Sequence, residues 1–321
     1  MENKNDMLPE NESTAEETPV APAKQPKRGL RERDMSKVNK GNKVSKIFTQ
    51  FGLYFFLGFM ALIVLFPFYW MIISSLKDWP EYARAKPTFF PETIKWGNYG
   101  RAFDMANLDK LFLNTVIVGV VSTVLSLIIT ILSAFALARL EFKGKNAIFG
   151  FMLATMMIPG ELFTITNYKT VLELRWLDTY KVLIIPFLVS VFYIYLLKQN
   201  FMQVPNELYL AAKVDGTNDF KYLCKVMIPL ALPTLISITI LKMMGSWNTY
   251  AWPKLVTTEQ GPQLITVGLR GADFFVEGSN TQVDIPAQMA AVAMVSAPLF
   301  LVFIFLRKYI MKGVSRSGIK G

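Results

Sequence analysis

Long stretches without a single charge alternate along this chain with short charged connectors. No charged residue lies between Lys46 and Lys77, between Lys110 and Arg139, or between Asp284 and Arg307. Each stretch matches or exceeds the roughly 20 residues that an α-helix needs to cross a hydrocarbon core, so each predicts a transmembrane helix. Residues 146–168 are apolar apart from Glu161, residues 182–197 carry no charge, and residues 229–253 are apolar apart from Lys242. The pattern predicts an all-α, polytopic membrane protein with six spans, at about 47–76, 111–138, 146–168, 181–198, 229–253 and 285–308. Together they make a transmembrane domain of residues 47–312, with a connecting loop at 200–228 and a tail at 313–321. Residues 1–46 are rich in Glu, Asn, Pro, Lys and Arg and nearly devoid of large apolar side chains. They bury too little surface to offset ordering entropy, and a disordered arm is expected. The apolar run behind this arm is too long for a cleaved signal, so the first span is expected to be retained.

The positions of the basic residues orient the spans. An even number of crossings puts both termini on one side. The basic arm together with Arg307, Lys308, Lys312, Arg316 and Lys320 predicts that this side is the cytoplasm. Arg139, Lys143 and Lys145 after span two, and Lys198, Lys213, Lys221 and Lys225 around the loop after span four, fall on the same side. The segment from Lys77 to Lys110 holds six basic residues and would be external, but it is long and five acids accompany them. Long segments follow the charge rule poorly.

Composition sharpens the picture by exclusion. Of the 321 residues 52% are hydrophobic, and the net charge is +10. The lysines and arginines sit between apolar runs or in the arm, where a membrane protein keeps them, which argues against nucleic acid as a partner and for lipid. The chain has no histidine and one cysteine, Cys224, so histidine catalysis, a histidine metal site and an intrachain disulfide are excluded. The phosphate-cradling pattern G-x-x-x-x-G-K-[ST] is absent, so the chain has no visible means of holding ATP.

The most informative loop follows span four and reads Glu207-Leu208-Tyr209-Leu210-Ala211-Ala212-Lys213-Val214-Asp215-Gly216, leading to Val226-Met227-Ile228-Pro229 at the start of span five. Asn206 after Pro205 offers an N-cap, Glu207 suits a helix N-terminus, and Gly216 can stop the helix in a left-handed conformation. A short helix between two spans is predicted, and Ala211 with Ala212 would give it a face that another protein can approach closely. This segment resembles the shared loop of the transmembrane subunits of binding-protein-dependent ABC importers: Glu-Ala-Ala, three residues, Gly, nine residues, Ile-x-Leu-Pro. Ala211, Ala212, Gly216 and Pro229 match at that spacing, Asp215 fits the common Asp-Gly form, and Leu210 stands where the family usually has Glu. Glu207 lies one turn earlier on nearly the same face.

Further matches are similar to the carbohydrate branch, of maltose-permease type. They include Phe66-Pro67-Phe68-Tyr69-Trp70 with Ser74-Ser75-Leu76-Lys77, Asn114-Thr115, Ser133-Ala134-Phe135-Ala136, Met157-Ile158-Pro159-Gly160, Trp247-Asn248 with Trp252-Pro253, and Gly313 with Gly318-Ile319-Lys320-Gly321. The resemblance implies a type I importer fold in a bacterial cell membrane and a coupling helix at 207–221 that takes mechanical work from a separate ATPase. It also implies tail contacts to the ATPase through Gly318 and Lys320. The implied partners are a second, related permease forming a heterodimer, two ATPase subunits that bind the ATP and magnesium, and an extracellular solute-binding protein. The chain itself is then no enzyme, and its solute is a sugar or oligosaccharide, with glycerol-3-phosphate or another polyol phosphate as the alternative.

Polar groups within spans are costly unless they face protein or water, which makes Glu161, Asn167, Tyr168, Lys242, Trp247, Asn248 and Tyr250 candidates for lining a pathway. Glu161 and Lys242 would equally suit a mutual pair or snorkelling toward an interface, and Trp247, Tyr250 and Trp252 an aromatic belt at the membrane surface. An ion-coupled secondary transporter using Glu161 or Lys242 is the competing class; it expects inverted repeats and leaves the loop after span four unexplained.

Overall fold

The computed structural model describes the backbone of residues 28–279 and 281–315, and the side chains of residues 48–279 and 281–307. Helices are the regular elements among the described residues, with one isolated antiparallel bridge between Phe275 and Val283. In chain order the helices are α1 (Arg28–Ser75), α2 (Trp79–Tyr82), α3 (Gly97–Met105), α4 (Leu108–Arg139), α5 (Lys145–Thr155), α6 (Thr164–Glu173), α7 (Tyr180–Ile184), α8 (Val191–Met202), α9 (Asn206–Val214), α10 (Asp219–Tyr222), α11 (Ile228–Asn248), α12 (Ala251–Val256), α13 (Ile265–Gly271) and α14 (Ile285–Ser315). Among the described residues, four helices are long and apolar enough to cross a membrane: Phe48–Ser75, Leu108–Arg139, Asp219–Asn248 and Ile285–Arg307. Two bent pairs raise the number to six if each pair is one span.

Compact packing divides the chain into residues 1–65 and 66–321. In the first unit, α1 begins at Arg28, so the end of the segment expected to be a disordered arm is helical. Its Arg, Glu, Lys and Met residues are good helix formers, and extending an existing helix avoids the unfavourable nucleation step. Residues 1–27 lie outside the described residues.

In the second unit, α4 is the central element, packed against α8 and α11. One face of α4 is built from small and hydroxyl residues, with Thr115, Gly119, Ser122, Ser126, Thr130 and Ala134 buried at intervals of three to four. Small residues let helix backbones approach in lipid, where hydrophobic exclusion gives no drive to associate. At Gly119 an added Cβ would meet Met243 Sδ of α11 at 3.2 Å. The Thr115 hydroxyl donates to Leu111 O at 2.7 Å and accepts from Ile265 N at 2.9 Å, satisfying an orphan amide in the first turn of α13. Asp284 starts α14 in the same way: its side chain accepts from Ala287 N at 3.0 Å, and Arg101 pairs with the other carboxylate oxygen at 3.1 Å.

Three expectations about the spans need correction. The third is broken into α5 and a 3-10 turn plus α6, bent by 87°, because Pro159 disfavours helical backbone in the residue before it and Gly160 follows. The fourth bends by 46° between α7 with its 3-10 turn at Ile185–Phe187 and α8, where Ser190 accepts from Tyr193 N as a new N-cap. The fifth starts earlier and ends earlier than 229–253: α10 and a π-helical turn at Leu223–Met227 run into α11, and Thr249 turns extended after Asn248. The loop expected at 200–228 is correspondingly shorter.

Candidate functional site

The helix foreseen between spans four and five is α9. Its C-terminal end forms a Schellman arrangement: Gly216 N donates to Lys213 O at 3.1 Å and Thr217 N to Ala212 O at 2.9 Å. Gly216 sits at φ +71°, the left-handed region that glycine enters without a Cβ penalty. Asn218 then caps α10, accepting from Lys221 N at 2.7 Å, so four residues, 215–218, connect α9 to the helix that continues into α11.

One face of α9 is anchored. The Tyr209 hydroxyl donates to Asp219 Oδ1 at 2.8 Å, Lys213 Nζ lies 2.7 Å from the same oxygen, and the rings of Tyr209 and buried Tyr222 meet at 5.2 Å. The hydrogen bond to Asp219 holds the Lys213 ammonium above its ordinary pKa. Partial burial, and then the bond to Asp219, raises the Tyr209 phenol. At the helix start, Arg139 from the end of α4 donates to Phe201 O at 2.9 Å, to Val204 O, and to Asn206 Oδ1 at 3.2 Å.

Among the described residues, the opposite face makes no such contacts. Glu207, Leu210, Ala211 and Val214, at spacings of three and four, share one exposed side of α9, with Leu210 55% and Val214 87% exposed. Ala212 is half-buried against the core, so the two alanines do not form one flat face as expected; Ala211 belongs to the exposed side and Ala212 to the packed side. Asp215 and Gly216 are exposed at the helix end, and Pro229 is exposed at the start of α11.

The candidate pathway residues do not converge. Lys242 lines a cavity of about 370 Å³ and donates to Phe187 O at 2.6 Å; no ion pair joins it to Glu161 among the described residues. Glu161 is exposed in the 3-10 turn before α6. In α6, Asn167 and Tyr168 are half-buried, and Tyr168 packs on the cluster that includes Trp252. Trp247 is a core residue: it is buried, its ring lies 5.9 Å from Phe112, and Nε1 donates to Val295 O at 3.3 Å. Trp252 is likewise buried, donating to Val182 O at 2.9 Å, so neither tryptophan belongs to a surface belt. Asn248 donates to Met244 O at 2.9 Å, and Tyr250 lines a separate cavity beneath the Arg270 guanidinium, 4.6 Å above its ring. Gly318 and Lys320 lie outside the described residues. Arg139 and the Tyr209–Asp219–Lys213 cluster were not foreseen. The signal for Arg139 was its place as the last charge of a long span, which places a five-donor side chain beside the next helix end.

Comparison with known proteins adds the following. The family described as "Binding-protein-dependent transport system inner membrane component" matches residues 126–316, well over half of the chain. The arabinooligosaccharides transport system permease protein of Halalkalibacterium halodurans is 31% identical over 267 residues, covering 82% of this chain and 94% of the relative. The sn-glycerol-3-phosphate transport system permease protein of Rhizobium meliloti is 28% identical over 262 residues, covering 79% and 91%. Among solved structures, a chain of a bacterial ABC transporter involved in the import of the acidic polysaccharide alginate superposes with a TM-score of 0.72 at 24% identity, over 89% of this chain and 99% of that one.

Proposed function

We propose, for a chain that belongs to the family of binding-protein-dependent transport system inner membrane components, the role of a sugar- or oligosaccharide-importing permease subunit driven by a separate ATPase. The observation that carries this reading is α9: a short helix fixed on one side by Arg139, Tyr209 and Asp219, and offering Glu207, Leu210, Ala211 and Val214 on the other. A helix held this rigidly between two spans passes a push on its exposed face directly to α8 and α11, with no flexible linker to absorb it. Alternating access by rigid-body movement of packed helices requires such a connection. Leu210 and Val214 supply the apolar contact and Glu207 the negative charge, in place of the carboxylate that Leu210 replaces.

In this role the α9 end of the bundle is cytoplasmic, both termini share that side, and a second permease completes the pathway. A solute-binding protein delivers the sugar to the opposite end. ATP and magnesium belong to the ATPase. The choice of a sugar follows the arabinooligosaccharide relative, the more similar of the two permeases compared, over glycerol-3-phosphate. Purification of the tagged chain from its native host tests the role. A second permease and an ATPase should accompany it, and uptake should require ATP; active uptake by the chain alone would contradict it.

A further inference from the structure

Lys242 lies within the last two turns of α11, a helix of membrane-spanning length, with its side chain half-buried. Its ammonium carries three donors, and one of them goes to Phe187 O at 2.6 Å, at the bend between α7 and α8. None of the ion pairs among the described residues includes it. A charge at membrane depth is expensive, and it persists where it pairs, faces water or serves a solute path.

The cavity it lines is large enough, at about 370 Å³, for a small-molecule site, and among the described residues Lys242 is the one charged residue on its wall. Around it stand the hydroxyls of Ser190, Tyr193, Ser246 and Thr249 and the ring of Phe187. We propose that this cavity binds an acidic sugar, with Lys242 as the counter-charge to a single carboxylate. The hydroxyls exchange hydrogen bonds with the sugar hydroxyls, and the aromatic ring covers an apolar sugar face. One ammonium balances one carboxylate; a phosphate ester, carrying about −1.5 to −2 near neutral pH, would be left under-compensated. A neutral sugar would leave the ammonium without a counter-charge. The proposal rests on the importer reading and narrows its solute class.

The test is uptake of radiolabelled galacturonate, which carries one carboxylate, arabinobiose and glycerol 3-phosphate by the complete transporter in proteoliposomes, for the native chain, Lys242→Met and Lys242→Arg, with the thermal stability of each form measured alongside. The native transporter is expected to take up galacturonate. Lys242→Met should lower that uptake at least tenfold at native stability, and Lys242→Arg should retain most of it. Unchanged galacturonate uptake in Lys242→Met overturns the site. So does a loss of uptake in Lys242→Met that comes with a loss of stability, which would make the lysine a support for the α7–α8 bend. Native uptake of arabinobiose or glycerol 3-phosphate but not galacturonate overturns the acidic-sugar assignment while leaving the importer reading intact. If no labelled solute moves with ATP in any form, the importer reading fails with it.

Discussion

Arg139, the last residue of α4, donates from its guanidinium to the carbonyl of Phe201 in the last turn of α8, 2.9 Å away. The same side chain reaches Val204 O and Asn206 Oδ1, so one cation closes the end of α8 and meets the start of α9. Helix ends leave carbonyls without intrahelical partners, and hydrogen bonds from a charged donor contribute about 1.5–3 kcal/mol each. Arg139→Ala is therefore expected to lower thermal stability and to reduce ATP-coupled uptake. Arg139→Lys should recover part of the stability, because a single ammonium cannot span three acceptors. Thermal unfolding of the purified variants beside their uptake rates checks both.

Gly216 separates backbone strain from steric exclusion. At φ +71° with nothing within 4 Å of an added Cβ, Gly216→Ala meets only the conformational cost, roughly 1–2 kcal/mol, and Gly216→Asn meets less. Both should insert and transport. Gly216→Trp adds bulk beside the exposed face of α9 and is expected to abolish transport and to release or uncouple the ATPase with membrane insertion intact. Uptake and ATPase co-purification for the three variants decide it.

The pair between Lys213 and Asp219 has a pH signature. The Lys213 ammonium is held above its ordinary pKa by its hydrogen bond to Asp219. A raised folded-state pKa means that the stabilisation is complete below the unfolded value and fades as pH climbs through the folded one. The difference in melting temperature between the native chain and Lys213→Met should therefore hold steady from neutral pH to just below the usual lysine value of about 10.4, and shrink only beyond it. Melting curves at a series of pH values measure this.

Gly119 and Gly150 form a matched contrast. A side chain at Gly119 runs into Met243 of α11, whereas nothing lies within 4 Å at Gly150. Gly119→Leu is expected to cost about 1–3 kcal/mol through overpacking, and Gly150→Leu close to nothing. Chemical unfolding in detergent compares them.

The charge-free runs made the helical membrane architecture legible, because a long apolar segment has few other stable uses. The bends were less so. Pro159 and Pro186 interrupt apolar stretches whose hydropathy stays high across the break, so the pattern marks the segment and not its angle. The loop after span four announced α9 and its Gly216 cap through local rules that act within a few residues. The anchoring of that helix by Arg139 depends on residues more than 60 positions apart, which no local rule connects. Trp247 and Trp252 were expected near the membrane surface for their amphipathic rings. Each indole instead finds a backbone carbonyl inside the bundle, Val295 O and Val182 O, and that removes the reason to seek water.

In the proposed role the exposed face of α9 receives the ATPase. Cys224 is the only cysteine and is exposed, so replacing it by serine gives a background in which one thiol at a time can be introduced at Glu207, Leu210, Ala211 or Val214. The measurement is thiol cross-linking of these single-cysteine chains in assembled transporter, with labelling of intact cells by a membrane-impermeant maleimide alongside. Cross-links from these positions to the ATPase subunit, changing in yield when ATP binds, and no labelling from outside are the expected result. Labelling from the external side, or an α9 that cross-links to no ATPase from any of the four positions, would contradict it.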